Sequence, residues 1–441
     1  MKINKLTLEN FRCFEHYEIN FSDRFTLLIG DNGSGKTAVL DSIKLALSPY
    51  IPSIPDHTNA PQNVPLQGSD NFSITLTDIR YQLSTLGQSL MKEPVTLTFI
   101  NANGTIDGVP LKWSISNKKG FLLESEMPLT IMGHGVNLKY WESSTYLPIV
   151  AYYGTGRLWK ENIESVDTSG PGSRLLGYKN CLTPSFNLKQ LFSWFKTQEL
   201  AALQKNEIRH VLEAVRGAII KMVPGGIHAQ WDLDWDELLI ETVIQGESQK
   251  IPFHLLSDGY RNLICMVADI SYRMATLNPQ FEFDALKQTE GIVLIDEIDL
   301  HLHPKWQREV VGRLMDTFPK VQFVASSHSP FIIQSLYDRD DVLLWDLEKE
   351  APVTIDSKSI EDIAENQQGV EIPQQSQRFL AMEKAAEEYY TVLKQLPPAS
   401  EEEKQRLRQR LDQLLMPYSD DPAFQAFLKM ERQAVEGRLE E

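Results

Sequence analysis

The octapeptide GDNGSGKT, residues 30–37, has the residue types and spacing of a phosphate cradle. It fits G-x-x-x-x-G-K-[ST], in which Gly30, Gly33 and Gly35 let backbone N–H groups face phosphate oxygens with no Cβ in the way. In such a loop Lys36 reaches the outer phosphates and Thr37 supplies a hydroxyl to Mg²⁺, while Asn32, Ser34 and Ala38 complete the run around the ligand. A second constellation is GIVLIDEIDL, residues 291–300, an apolar run ending in two acids. Asp296 fits a Mg²⁺-linked carboxylate and Glu297 a general base that activates water. SSHSP, residues 326–330, closes the run VQFVAS, and His328 there is placed to meet a γ-phosphate or the attacking water.

The stretch HLLSDGYRNLICMVADI, residues 254–270, sets a puzzle. Ser257 and Asp258 are good helix-capping residues, and Leu263, Ile264, Met266, Val267 and Ile270 form an apolar helix face. A helix start gathers unpaired N–H groups and the positive end of the macrodipole, which suits a phosphate. The chain already has one cradle. Either two nucleotides bind, or this half-site completes a nucleotide held elsewhere. Other groupings are weaker: His301 and His303 lack the cysteines of a zinc site, and Ser327, His328 and Asp299 lack the G-x-S-x-G elbow of a hydrolase.

The elements needed to position these residues are legible. Residues 2–9 and 16–29 read as two or three strands, the last ending in TLLIG, and TAVLDSIKLAL has helical spacing up to Ser48-Pro49. Residues 49–71 read as an exposed loop. FSITLTDI, VTLTFI, LKWSIS and YLPIVAYY read as strands, residues 187–222 as helical, and AQWDL and LLIETVI as strands again. GIVLID, PKWQREVVGRLMDTF, VQFVAS, PFIIQSL and VLLWDL then alternate as a parallel α/β core does. From Glu348 to Glu441 the tail carries 20 acidic against 12 basic residues, with helical runs at FLAMEKAAEEYYTVLKQL and EEEKQRLRQRLDQLL. It is a solvated hairpin or a partner-docking module, the second supported by Tyr389, Tyr390, Leu393, Leu411, Leu414 and Leu415.

With 441 residues the chain can bury a sizeable core, and a net charge of -17 argues against a stand-alone coat for nucleic acid. Three widely spaced cysteines suggest neither disulfides nor zinc. The start lacks a signal-length apolar run and no stretch reaches the ~20 apolar residues of a membrane span, so a soluble cytoplasmic protein is expected.

In their order, GDNGSGKT, LLSDGYRN, IVLIDE, IDLHLHP and SSHSP resemble the P-loop, signature, Walker B, D-loop and switch of an ATP-binding-cassette ATPase head. The resemblance implies an α/β fold with a P-loop parallel-sheet core, an antiparallel β lobe, a helical insertion at about 187–222 and a helical C-terminal tail. It sets a head at residues 1–346, with signature, Walker B and switch within 255–330, and a tail at 347–441. It further implies that ATP and Mg²⁺ held by one P-loop are completed by Ser257 and Gly259 of a second copy, in a head-to-tail homodimer. Asp258 and Tyr260 depart from the LSGGQ pattern, which counts against a transporter subunit. The start KINKLTLENFRCFEHYEINF resembles the RecF, SMC and OLD-like branch, and by that likeness Arg12 touches the nucleotide. The Q-loop glutamine has only weak candidates, Gln67 or the region of Asp78 and Arg80. AYYGTGRLWKEN, residues 151–162, resembles a segment of small defence-type ATPases and is either a structural or a nucleotide-proximal loop.

The P-loop and signature are too close in sequence for the long coiled coil of SMC proteins, and the tail is too short for the TOPRIM nuclease of OLD enzymes. A compact head without its own nuclease resembles the PtuA family of Septu and retron-associated anti-phage systems, which pairs with PtuB, an HNH nuclease. The resemblance implies an ATP-hydrolysing sensor or scaffold that reaches DNA through its complex and works away from membranes. The alternatives are a RecF/SMC-like repair or recombination ATPase and a transporter nucleotide-binding subunit.

Overall fold

The computed structural model describes residues 1–51, 53–55, 63–65, 74–86, 89–95, 97–106, 108–117, 120–123, 146–157, 174–186, 188–355, 359–370, 400–415 and a few positions between 380 and 391. Gln67, most of the 49–71 loop, residues 158–162, Tyr389, Tyr390 and Leu393 lie outside the described residues, as do the side chains of Leu411, Leu414 and Leu415. The chain divides into two compact units, Met1–Ile360 and Glu361–Glu441.

The first unit is organised by two large sheets. Strands β1 (Lys2–Phe11) and β2 (Phe14–Asn20) form a hairpin, and β3 (Phe25–Ile29) leads into the phosphate loop and helix α1 (Lys36–Leu47). Short hairpins follow, β4 (Ser53–Pro55) with β5 (Asn63–Pro65) and β6 (Tyr81–Leu86) with β7 (Ser89–Pro94). Next come β8 (Phe99–Ile106), β9 (Val109–Ser116), β10 (Gly120–Leu123) and β11 (Ile149–Tyr153). Helices α2 (Leu188–Lys205) and α3 (His210–Met222) precede the antiparallel strands β12 (Gly226–Asp232), β13 (Glu237–Ile244) and β14 (Glu247–Pro252). Helix α4 (Asp258–Leu277), α5 (Ala285–Gln288), β15 (Gly291–Ile295), α6 (Pro304–Gln307), α7 (Val310–Thr317), β16 (Val321–Ser326), α8 (Pro330–Ser335), β17 (Val342–Asp346) and β18 (Ala351–Val353) complete the core. Helix α9 (Ile360–Gln368) starts at the unit boundary, and the second unit contains α10 (Glu401–Leu415).

The central sheet has the order β11-β15-β16-β3-β17-β18 and is parallel except for the last pair. β3, β15 and β16 are buried along their whole length. That is the continuous apolar run a sheet covered on both faces demands. The second sheet, β10-β9-β8-β1-β2, is antiparallel, and β8 alternates between buried and half-buried positions as a sheet with one covered face does. It is fastened to the P-loop helix where the Trp113 indole N–H donates to the Ala46 carbonyl at 2.9 Å.

YLPIVAYY is a strand as expected, and its residues 149–153 form the edge of the parallel sheet, paired with β15. All five of those residues are buried, which a lobe strand with a wet face would not require. FSITLTDI is not a strand where it is described. Residues 76–78 turn, with a single bridge from Ile79 to Phe11, because Asp78 turns its carboxylate back onto the Thr75 N–H and hydroxyl.

Candidate functional site

Parallel pairing puts the carboxyl ends of four strands side by side. Tyr153 pairs with Ile295, Ile295 with Ala325, and Ser326 with Leu28, so the segments after β11, β15, β16 and β3 emerge at one edge. Ligands in open α/β sheets sit at this edge. The phosphate loop leaves β3 there and delivers the start of α1. That helix has glycine at its N-cap, no side-chain cap and no acidic residue in its first turn. Its positive end is thus turned to the loop. Gly35 has φ +101, and a Cβ there would stand 2.4 Å from the Phe14 ring and 2.9 Å from the Cys13 sulfur. The β1–β2 turn is packed so close beneath the loop that no other residue fits.

Lys36 is buried and folds back over the loop, donating to the carbonyls of Gly30 at 2.7 Å and Asp31 at 2.8 Å. Burial pulls its ammonium below the ordinary lysine range, against the opposing charges of Asp296, Asp31, Glu297 and Glu348. Asn32 and Gly33 are exposed at the mouth, Ser34 is half-buried and Ala38 buried. At the same mouth Glu348 accepts the Asp31 N–H at 2.7 Å. The sequence reading missed this residue, since nothing in an acidic stretch marks which carboxylate returns to a loop more than 300 positions away.

Asp296 is the hub. One carboxylate oxygen accepts the Thr37 hydroxyl at 2.8 Å and the other the Ser326 hydroxyl at 2.6 Å. The hydroxyl and carboxylate expected to share Mg²⁺ are therefore adjacent, and an uncapped helix start faces the same loop. This donor set, one hydroxyl and one carboxylate with phosphate oxygens to supply the rest, suits a hard cation. Ser326 also accepts the Glu297 N–H at 2.8 Å, a role the sequence reading did not give it. Glu297 has φ 49, an uncommon left-handed conformation for a residue with a side chain. His328, exposed, follows at the end of the same strand.

Arg157 lies under this hub. Its guanidinium donates to the carbonyls of Asp296 at 2.6 Å, Glu297 at 2.9 Å and Gly154 at 3.0 Å, and to Asn262 Oδ1 at 2.6 Å. Burial draws its pKa down to about 10, opposed by Asp296, Glu297 and Asp299. Of the two readings of the GTGR loop, its described part is built as a strut.

Ser257 and Gly259 stand elsewhere. Ser257 is the N-cap of α4, exposed, with a hydroxyl that caps no backbone N–H. Gly259 is buried against the segment after Walker B, where a Cβ would come to 2.3 Å from the His301 carbonyl oxygen. Both line a cavity of about 610 Å³ with Tyr260, His301, His303 and Trp306, and no P-loop residue lines it. His303 is used as a helix cap, its Nδ1 accepting the Lys305 N–H at 3.2 Å.

Arg12, with φ 50, is held by two acids: Nη1 donates to Asp41 at 2.7 Å and Nη2 to Asp78 at 2.7 Å. The first pair ties the β1–β2 turn to α1 and the second ties it to the 76–78 turn. Arg80 pairs with Glu15 at 2.6 Å.

The fold and the arrangement of these residues are those expected of a P-loop ATPase, and family models and ATPase-named relatives support that class. A family model described as AAA domain matches residues 5–222, and a second AAA-domain model, whose description also names an AbiEii toxin of a type IV TA system, matches residues 185–334. Among relatives, the retron Vc95 probable ATPase of Vibrio cholerae is 27% identical over 386 residues, covering 76% of this chain and 72% of its own. The Septu protein PtuA of Bacillus mycoides is 27% identical over 359 residues, covering 80% of this chain and 42% of its own length. The SMC head domain from Thermotoga maritima is a structural neighbour at 17% identity and TM-score 0.38, covering 78% of this chain and 94% of that one. The resemblance to PtuA and retron ATPases, drawn from the compact head and its tail, is met by relatives bearing those names.

Proposed function

We propose that this protein is the ATP-binding and ATP-hydrolysing sensor or scaffold subunit of a bacterial anti-phage defence system, acting as a head-to-tail homodimer that controls a separate HNH nuclease. The relatives named retron ATPase and Septu PtuA support the biological setting. The observation that carries the mechanism is the division of the site. The Thr37–Asp296–Ser326–Glu297 group lies together beside the P-loop, while Ser257 stands at the start of a helix whose cavity no P-loop residue lines. A second copy supplies what each head lacks.

The roles follow from position. Lys36 and the N–H groups at the start of α1 bind the phosphates. Thr37 and Asp296 would hold Mg²⁺, which when bound neutralises charge on the transferring phosphoryl group. Glu297 accepts the proton of the attacking water, and His328 and Arg12 face the nucleotide from the switch and the β1–β2 turn. Ser257 and Gly259 meet the nucleotide of the partner chain. Nucleotide shared between two heads stabilises the pair by mass action, so its hydrolysis governs whatever the heads carry. The tail, residues 347–441, or the 49–71 loop is the proposed docking element for the nuclease.

The test is a pull-down of tagged Glu297→Gln protein expressed beside its native neighbours. Recovery of a metal-dependent nuclease is the expected result. Recovery of only a homodimer, joined by ATP-stimulated binding of the purified chain to DNA ends, would instead make it a RecF-like repair ATPase.

A further inference from the structure

Among the described residues Arg157 is the bulkiest fully buried side chain, 1% exposed, yet its hydrogen bonds go to three carbonyls and one amide rather than to a carboxylate. Burying a guanidinium is costly unless its donors are spent on something specific. Here they are spent on the backbone that carries the two reactive acids. The Glu297 N–H is held by Ser326 and its carbonyl by Arg157, so both peptide groups around its left-handed Cα are clamped. The direction in which the Glu297 side chain leaves the backbone is set by those two bonds.

The same guanidinium is tied to the signature helix. Asn262, 3% exposed, accepts from Arg157 Nε at 2.6 Å and donates to the Leu300 carbonyl at 3.2 Å. It lies five residues after Ser257, little more than one turn along α4. Gly259 packs against His301 on the same flank, so the helix start, the segment after Walker B and the Glu297 peptide form one connected block. Asn262 and Arg157 thus form a continuous hydrogen-bonded route from the helix that starts at Ser257 to the Glu297 carbonyl.

We infer that Arg157 and Asn262 are positioning residues that make the placement of Glu297 depend on the seat of the signature helix, so that a head hydrolyses its own ATP only when its signature is engaged by its partner's nucleotide. The inference rests on the two-headed reading above. It predicts that the two sites of a dimer fire together, and that severing the Asn262 link leaves binding and pairing while slowing turnover.

The experiment is steady-state ATP turnover of the full chain against ATP concentration for wild type, Asn262→Ala, Asn262→Asp and Arg157→Lys, with ATP affinity and ATP-dependent mass measured alongside. Displacing a reacting group by about 1 Å costs on the order of 100-fold, so Asn262→Ala is expected to lose at least about tenfold in kcat with KM and pairing kept and cooperativity in ATP flattened. Asn262→Asp keeps the acceptor for Arg157 but gives up the donor to the Leu300 carbonyl, so it is expected to recover part of that loss. Arg157→Lys, which cannot make the fork, is expected to behave as Asn262→Ala does. Unchanged kcat and cooperativity in Asn262→Ala, or a loss of ATP binding that tracks the loss of kcat in every variant, overturns the inference and leaves the ATPase reading standing. A wild-type chain that binds ATP in pairs but never turns it over overturns both.

Discussion

At the scale of single residues, the site is a set of assigned hydrogen bonds, and each can be removed. Lys36→Ala removes the only lysine in the loop and is expected to abolish ATP binding in titration calorimetry. Glu297→Gln keeps shape and backbone contacts but cannot take a proton; turnover is expected to fall at least about 100-fold, the low end of general-base contributions, with ATP affinity retained. If Glu297→Gln hydrolysed ATP at the wild-type rate, the base would have to be another group. Asp78 tests the anchorage of Arg12. Burial would raise its carboxyl, but hydrogen bonds from Thr75 and Arg12, with the charge of Arg12, outweigh that and hold it below the ordinary value. A carboxylate depressed in the folded state stabilises fully above its unfolded pKa of about 3.9 and loses that stabilisation as pH falls through the lower folded value. Asp78→Asn is therefore expected to cost about 1.5–3 kcal/mol at neutral pH in urea unfolding, with the gap closing in strong acid. A pH-independent gap would show that the charge is irrelevant.

At the scale of elements, what matters is which loops a parallel sheet brings to one edge. The P-loop, Walker B and switch were legible because each ends an apolar strand, and the run of fully buried strands β3, β15 and β16 follows from the same residues. The place of β11 was not legible. IVAYY is apolar enough for either sheet, and only its register with β15 reveals that Arg157 must sit beneath Asp296. Asn262 was equally hidden, a polar residue on an apolar helix face with no sequence mark of its partner. The glycine of the signature acquires a local reason too. Gly259→Ala puts a Cβ against the backbone carbonyl of His301, and since backbone cannot move aside cheaply the expected result is a lowered melting temperature before any effect on ATP is measured. A variant with wild-type melting and impaired pairing would place the need for glycine wholly at the shared nucleotide.

At the scale of the whole molecule, composition bounds more than it identifies. A net charge of -17 leaves phosphate-backbone binding to a local groove or to a partner, and among the described residues no helix is long and apolar enough to cross a membrane. On the proposed reading one chain is half of a pair: among the described residues the phosphate cradle has its acids beside it while the signature helix opens into a separate cavity, an arrangement that a second copy would complete.

The central claim is that ATP joins two heads through P-loop and signature, and the most direct measurement is the native mass of Glu297→Gln protein with and without ATP and Mg²⁺, repeated with Ser257→Arg added. ATP is expected to double the mass of the unliganded species, and the Ser257→Arg chain is expected to bind ATP with unchanged affinity while failing to pair. Pairing that persists in Ser257→Arg, or ATP binding at full occupancy with no change of mass, would contradict it.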